Sequence, residues 1–241
     1  LIASSFMLGS KPGKEAWVQP IVDRAARSIH FTIRKNGTKA EIAAAKEGTK
    51  AGRGASFRCI LSDTAITPEY VKETGKSGQM KQTLIAVVAE GKSGRTYLPP
   101  SAEHEALAMS AQPTWKPETS LPNDPRNFWT VEYGLRTFGD LFTDRQLLSL
   151  NTLTECLHEV RKQVSLDAAG SFVGCDKASL EDGGDGGAAY ADAVSVYLAF
   201  AINRSVDRGS SICTWDSSPK MEALRNTFAR QSLPMTWDFA E

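Results

Sequence analysis

The chain has 241 residues, of which 41% are hydrophobic, and its 28 Lys and Arg balance its 28 Asp and Glu. This composition is typical of a soluble globular chain of one large domain or two modest ones. No uninterrupted apolar run reaches the ~20 residues of a membrane span, so we expect no membrane partner.

The charge is distributed unevenly along the chain. Residues 1–100 carry 16 Lys and Arg against 8 Asp and Glu, a net +8, and residues 101–241 carry the remaining 12 against 20, a net −8. This asymmetry indicates that the N-terminal half faces an anionic partner or that the two halves face each other, with an uneven solvated surface as the alternative.

The cysteines and the first residues of the chain indicate its cellular compartment and its origin. Its four cysteines, Cys59, Cys156, Cys175 and Cys213, are widely spaced without a C-x-x-C pair, which favours reduced thiols in a cytoplasmic protein. The first residues form an apolar stretch without an initial Met. We therefore expect an excised fragment of a longer protein.

The first hundred residues are predicted to be rich in β-structure. Alternating apolar residues predict strands at Ala16–Val22 and Ser28–Arg34, joined as an antiparallel hairpin. A short helix at Glu41–Lys46, a mobile basic loop through Gly52-Arg53-Gly54 and a strand at Phe57–Leu61 follow. Thr67-Pro68-Glu69 has the pattern of a helix start. The apolar run Thr83–Ala89 predicts a central strand, with Arg95–Leu98 beside it.

The remainder is predicted to be helical. Ser101–Ser110 forms a helix, and four prolines within residues 112–127 indicate a boundary or an extended strap. Thr143 and Gln146 form a capping box at the start of the longest helix. The run Ala188–Val206 is apolar nearly all round, which predicts a buried helix at the centre of a helical layer. A last helix follows Ser218-Pro219.

These elements predict an α+β protein, with a small β-rich N-terminal unit followed by a helical layer of three main helices. We divide the chain into a basic β-rich unit at residues 1–100, a Pro-rich linker or strap at 101–127 and a helical unit at 128–241.

Catalytic and cofactor-binding residues are not indicated by any motif. Cys156 and His158 are two apart on a helix, so they point to different sides and do not form a nucleophile and base pair. The stretch Gly183–Gly187 precedes a helix, but no strand leads into it, and Asp182 and Asp185 would repel an anion.

Several long strings together resemble one family, the large proteins described as adenine-specific DNA methylases containing a zinc ribbon. The similarity extends over essentially the whole chain, in order, and rests on the strings Lys11-Pro-Gly-Lys-Glu-Ala-Trp-Val, Gly75-Lys-Ser-Gly-Gln-Met, Val87-Val-Ala-Glu-Gly-Lys-Ser-Gly-Arg-Thr-Tyr-Leu-Pro-Pro, Tyr133-Gly-Leu-Arg-Thr-Phe-Gly-Asp-Leu-Phe-Thr-Asp-Arg-Gln-Leu-Leu, Tyr190-Ala-Asp-Ala-Val and Arg225-Asn-Thr-Phe-Ala-Arg-Gln-Ser-Leu-Pro-Met-Thr-Trp-Asp-Phe-Ala-Glu.

The resemblance implies that the chemistry lies outside this chain. In that family the S-adenosylmethionine motif precedes this region and the Asp-Pro-Pro-Tyr catalytic motif follows it, so S-adenosylmethionine is implied for the full-length parent alone. Where family members can show a second C-x-x-C, this chain has Cys59-Ile-Leu-Ser62. One thiolate cannot form the four-ligand site of structural zinc, so we expect a degenerate zinc-ribbon-like unit without metal.

The resemblance also implies a role. An insert between the two motifs occupies the position of a target-recognition domain, and such enzymes must hold the DNA backbone while flipping out adenine. We therefore expect a DNA-recognition or accessory insert of an adenine-specific DNA methyltransferase, not catalytic when isolated, with DNA and the rest of the methyltransferase core as partners. The alternatives are a protein-interaction module for a partner subunit and a structural cap, the latter indicated by an exposed apolar patch around Trp237 and Phe239.

The densest basic stretch supplies the candidate contacts with nucleic acid. Seven basic residues within 25 positions are accompanied by only Glu41 and Glu47, a local net +5. The candidates are Arg34, Lys35, Lys39, Lys46, Lys50, Arg53 and Arg58.

Overall fold

The computed structural model describes residues 1–92, 94–124, 126–169, 171 and 176–241, and it is a mixed α and β protein. Its strands are β1 (Met7–Gly9), β2 (Ala16–Asp23), β3 (Ser28–Lys35), β4 (Phe57–Arg58), β5 (Ala65–Ile66), β6 (Val87–Gly91), β7 (Gly94–Leu98), β8 (Trp215–Asp216) and β9 (Ala223–Leu224). Its α-helices are α1 (Lys39–Glu47), α2 (Pro68–Lys76), α3 (Ala102–Met109), α4 (Asp144–Ala168) and α5 (Gly187–Arg208), with 3-10 turns at Trp129–Tyr133 and Gly139–Leu141.

The predicted N-terminal hairpin is confirmed and gains a third strand. β2 pairs antiparallel with β3 from Ala16 opposite Lys35 to Asp23 opposite Ser28, and β1 adds to the other edge of β2. Trp17 and Val18 are buried because β1, β3 and α1 surround the start of β2. The far half of the hairpin extends into solvent, where its side chains are exposed or partly exposed.

The predicted helix starts are also confirmed. The Thr67 side chain accepts a hydrogen bond from the Tyr70 N–H, and Pro68 stands in the first turn of α2. At α4, the Thr143 hydroxyl accepts from the Gln146 N–H, and Gln146 Oε1 accepts from the Thr143 N–H at 2.8 Å. Both capped ends form because local side chains satisfy the free N–H groups of a first helical turn.

The strand predicted at Thr83–Ala89 is confirmed only from Val87 onward, where it pairs with the predicted strand at Arg95–Leu98, and its predicted central position is wrong. Residues 83–86 have no regular structure, because Glu105 Oε1 accepts hydrogen bonds from the Leu84 N–H at 3.0 Å and the Thr83 hydroxyl at 2.7 Å. β6 begins at Val87 and, among the described residues, pairs with β7 in a two-stranded hairpin. The strand predicted at Phe57–Leu61 is likewise reduced to the two residues of β4.

The third main helix, predicted after Ser218-Pro219, is wrong as well. β9 pairs with β8 in this segment, and Leu224 lies opposite Trp215. Glu222 has a positive φ of 40°, which a right-handed helix does not allow. An ion pair between Arg225 and Asp216 closes the same turn.

The helix predicted at 188–206 is confirmed as α5, but its predicted burial is wrong. α4 and α5 pack against each other, and Arg161 of α4 pairs with Asp192 of α5. Within α5 only Ala189 and Ala191 are fully buried. Several large side chains of the helix, among them Tyr197 and Phe200, are exposed instead.

The C-terminal segment packs back onto the N-terminal sheet. Trp215 Nε1 donates to the Leu8 carbonyl at 2.6 Å, and the Ser10 N–H donates to the Ser217 carbonyl at 2.9 Å. Trp237 makes an edge contact with the ring of Phe57 at a centroid distance of 5.5 Å. Residues far apart in sequence thus share one packed region.

Candidate nucleic-acid interface

The basic residues are positioned by the end of β3, helix α1 and the loop that follows it. The turn into α1 passes Gly37, where a Cβ atom would lie 2.3 Å from the ring of the buried Trp17. Glycine is therefore required for the close approach of this turn to the core. Thr38 and Glu41 then form a capping box, which starts α1 immediately after the turn.

The end of α1 is attached to the N-terminal segment. Gly48 has a φ of 57°, and a Cβ there would lie 2.5 Å from the Ala3 carbonyl oxygen. The next residue, Thr49, is buried, and its hydroxyl accepts from the Ala3 N–H at 2.8 Å. This attachment holds the loop of residues 50–57 in a defined place.

Two of the seven candidate side chains are already in ion pairs. Arg34 lies 3.8 Å from Glu41, and Arg58 lies 3.3 Å from Asp63. The hydrogen bonds from Thr38, with a contribution from Arg34, lower the pKa of Glu41, so this carboxylate is charged at neutral pH. Both pairs are exposed and therefore weak, but they reduce the local positive charge.

Lys50 is part of the structure of the loop. Its Nζ donates to the Gly54 carbonyl and lies 4.6 Å from the centroid of the Phe57 ring. Burial lowers the pKa of Lys50, while the negative charge of Asp238 opposes that shift. Lys50 therefore stabilises the protein internally and is poorly placed for phosphate contact.

The other four candidates remain available. Lys35, Lys39, Lys46 and Arg53 are exposed, and no ion pair involves them within the part of the chain that the structure describes. Lys39 and Lys46 are seven residues apart on α1, which places them on one face with about 10 Å of helix rise between them. Arg53 lies in the glycine-flanked loop beyond the end of the helix.

Two lysines outside the seven candidates, Lys11 and Lys14, lie in the turn between β1 and β2. Ala16 is paired with Lys35, and the Asn36 N–H donates to the Glu15 carbonyl at 3.0 Å. The β1–β2 turn, which carries the exposed Lys11 and Lys14, therefore ends beside Lys35. The register of β2 against β3 decides this proximity, which the spacing in sequence does not reveal.

Cys59 lies in the turn between β4 and β5. Hydrogen bonds from the Ser62 side chain and backbone N–H lower the pKa of its thiol. Cys59, Cys156 and Cys213 are free thiols, and Cys175 lies outside the described residues. Across the described ranges, no cluster of three or more His, Cys, Asp and Glu side chains is suited to a metal ion.

No family model, curated protein or solved structure matches the chain. In the helices that the structure describes, none has the length and apolar character needed to cross a membrane.

Proposed function

We propose that this chain is a DNA-recognition or accessory insert of an adenine-specific DNA methyltransferase, and that it contacts the phosphate backbone through Lys35, Lys39, Lys46 and Arg53. The observation that carries the proposal is that these four exposed cations have no ion-pair partner among the described residues. The sequence resemblance supports the enzyme class. Lys11 and Lys14 extend the same end of the sheet.

The methyl donor belongs to the parent enzyme in this proposal. The glycine-rich stretch before α5 does not fit S-adenosylmethionine, because residues 176–186 contain no strand leading into it, and Asp182 and Asp185 bring negative charge. The chain therefore supplies DNA contacts to a methyltransferase core, and we place that activity in the cytoplasm.

Phosphate contacts of this kind release counterions from DNA. The logarithm of the affinity falls against the logarithm of salt concentration with a slope of about −0.9 per neutralised phosphate, so four contacts give a slope of roughly −3.6. Raising salt from about 50 to 200 mM would then weaken binding by about 100-fold. Because backbone contacts carry no base information, we expect little sequence preference.

Fluorescence anisotropy with a labelled DNA duplex tests the proposal. The variant Lys39→Glu, Lys46→Glu and Arg53→Glu should lose nearly all binding at low salt. Effects on helix stability should be small, since a Glu at residue 39 suits the N-terminal end of the α1 dipole and offsets the unfavourable Glu at residue 46. Lys50 is left intact because its ammonium group stabilises the loop.

A matched control removes the same charge elsewhere. Lys162, Lys177 and Lys220 are exposed in the C-terminal half, and changing all three to Glu alters the net charge of the protein by the same amount. The proposal requires the control to bind DNA far better than the interface variant. Equal affinities, or a wild-type affinity that does not respond to salt, would contradict it.

The two alternative roles, a structural cap and a protein-interaction module, predict different exposed apolar surfaces. A cap was expected to expose an apolar patch around Trp237 and Phe239, but Trp237 packs against Phe57 and Tyr133, and Phe239 is partly buried. The widest exposure of aromatic side chains on a single helix lies instead on α5. That surface favours association with another protein chain.

A further inference from the structure

The two faces of the β2–β3 hairpin differ in chemical character. Residues paired across the two strands lie on the same face, and successive residues alternate between faces. Val18, Ile33 and Phe31 lie on one face, where they belong to the N-terminal core or pack against it. Beyond the buried Trp17, the opposite face carries mostly polar side chains, and we call it the outer face. It consists of Gln19, Ile21, Ser28, His30, Thr32 and Arg34, with Asp23 at its far end.

Beyond Val18 the N-terminal sheet narrows to two strands. Among the residues that the structure describes, β1 pairs with β2 at Ala16 and Trp17, and the other edge of β3 has no strand beside it. Residues 19–23 and 28–32 therefore form a two-stranded ribbon, about 16 Å long at roughly 3.3 Å per residue. The major groove of B-DNA is about 12 Å wide and admits a ribbon of this kind.

The base of the outer face adjoins the basic surface of α1. The helix begins beside Arg34, whose guanidinium lies 3.8 Å from the Glu41 carboxylate. Lys39 and Lys46 are exposed on the same helix. Their positive charge attracts the phosphates that border a groove of DNA. A duplex held by α1 would therefore lie against the outer face.

Positive charge also lies at the tip of the ribbon. The turn between the two strands carries Arg24 and Arg27, both exposed. Arg24 Nε donates to the Leu61 carbonyl at 3.2 Å, which attaches the tip to the segment between β4 and β5. The Asp23 carboxylate accepts from the Ala26 N–H at 2.9 Å and so closes the turn. Cations thus lie at both ends of the ribbon, and phosphates border a groove on both sides.

The uncharged polar side chains of the outer face suit the edges of bases. Gln, Ser and Thr side chains both donate and accept hydrogen bonds, and the major groove presents acceptors and donors. Gln19 has long contacts within the protein, since Trp17 Nε1 donates to its Oε1 at 3.4 Å and its Nε2 donates to the Pro20 carbonyl at 3.3 Å. Ser28 and His30 are also 3.4 Å apart. Contacts this long can be exchanged for shorter ones with DNA.

We propose that the β2–β3 hairpin enters the major groove of DNA with its outer face toward the base edges, while Lys39 and Lys46 contact the phosphates beside that groove. This inference rests on the proposed function and adds the groove that the chain occupies. Gln19 and Thr32, which are paired across the ribbon, donate or accept hydrogen bonds at the bases. Because both side chains are uncharged, they add affinity without releasing counterions.

The salt dependence of DNA binding separates the hairpin from the phosphate contacts. The double variant Gln19→Leu and Thr32→Val removes two hydrogen-bonding groups but nearly keeps their size. Its affinity for a duplex should fall about tenfold, the order expected for two hydrogen bonds, and its salt slope should equal that of the wild type. The control Gln82→Leu and Thr96→Val changes the same residue types at exposed positions outside the hairpin and should bind as the wild type does.

A second variant introduces a negative charge on the outer face. Ile21 is 52% exposed, so the folded hairpin accommodates Ile21→Glu. The control Leu98→Glu places the same charge on β7, at a residue that is 45% exposed. Ile21→Glu should bind DNA at least tenfold more weakly than Leu98→Glu does. Circular dichroism and thermal unfolding of each variant verify that the fold is kept.

Modified DNA identifies the groove directly. A duplex with glucosylated 5-hydroxymethylcytosine carries sugars in the major groove and has the same phosphate charge as the unmodified duplex. The wild type should bind it at least tenfold more weakly, with an unchanged salt slope, and the Gln19→Leu and Thr32→Val variant should distinguish the two duplexes less. Salt-sensitive binding that neither the hairpin variants nor the sugars weaken would overturn this inference and leave the contacts of α1 standing. A wild type without salt-sensitive binding would overturn both.

Discussion

The N-terminal β-rich region and the α4–α5 pair differ in how they bury their large apolar side chains. Trp17 and Phe57 are enclosed by elements distant in sequence, including the C-terminal segment with Trp237. On α5, Tyr197 and Phe200 face solvent. The comparison shows that apolar composition alone does not locate a core, because burial requires a second surface against which the side chain can pack.

A truncation in each region should separate the two regions by their loss of stability. Phe57 is 0% exposed, so Phe57→Ala should lower the free energy of unfolding by about 3–5 kcal/mol through lost packing and an internal cavity. Phe200→Ala should change it by less than about 0.5 kcal/mol in the monomer. Urea unfolding at low protein concentration measures both. Similar losses for the two variants would show that α5 is covered within the chain.

A second prediction compares two glycines with positive φ. Gly48→Ala places a Cβ atom 2.5 Å from the Ala3 carbonyl oxygen, whereas nothing lies within 4 Å of a Cβ at Gly183. Gly183→Ala should cost only the roughly 1–2 kcal/mol of left-handed backbone in a residue with a side chain. Gly48→Ala should cost at least about 1 kcal/mol more, because the backbone must also move. Thermal unfolding of both variants decides whether the contact with Ala3 holds the loop.

A third prediction concerns two carboxylates with opposite pKa shifts. Burial raises the pKa of Asp238, so the folded protein binds this proton more tightly than the unfolded chain does. Its contribution to stability therefore falls as pH rises from 3.8, the ordinary pKa, through the raised value. Asp238→Asn should remove that fall.

The pKa of Asp192 is shifted in the opposite direction, so its contribution to stability changes with pH in the opposite direction as well. The hydrogen bond from the Leu180 N–H and the pairing with Arg161 lower its pKa, so its contribution is present above pH 3.8 and is lost as pH falls. Asp192→Asn should therefore remove a loss of stability in acid. Unfolding measured between about pH 2 and 7 distinguishes the two variants; parallel pH profiles would contradict the assigned shifts.

A modest change is expected in DNA affinity when the ion pair of Arg34 is removed. Glu41→Gln keeps a side chain that can complete the capping box with Thr38 but releases Arg34 from its ion pair. The salt slope of DNA binding should become steeper by about 0.9, with a modest gain in affinity. Anisotropy across the same salt range measures this change, and an unchanged slope would show that Arg34 does not reach phosphate.

The elements that were predicted correctly depend on local chemistry. The β2–β3 hairpin follows from alternating apolar residues, and α2 and α4 begin at side chains that cap their own first turn. The elements that were predicted incorrectly depend on contacts with residues distant in sequence. Leu84 and Thr83 bond to Glu105 of α3, and Leu224 pairs with Trp215, so neither segment follows its own propensity.

For the candidate site, the amino-acid sequence was enough to locate the concentration of basic residues between Arg34 and Arg58 and the helix that carries Lys39 and Lys46. Which of these cations are available for DNA depends on contacts that form in the folded protein. Lys50 is held by Gly54 and the ring of Phe57, and the pairing of β2 with β3 places Ala16, at the end of the turn that carries Lys11 and Lys14, opposite Lys35. Charge is a property of composition, but its availability depends on which groups the fold places within a few ångströms.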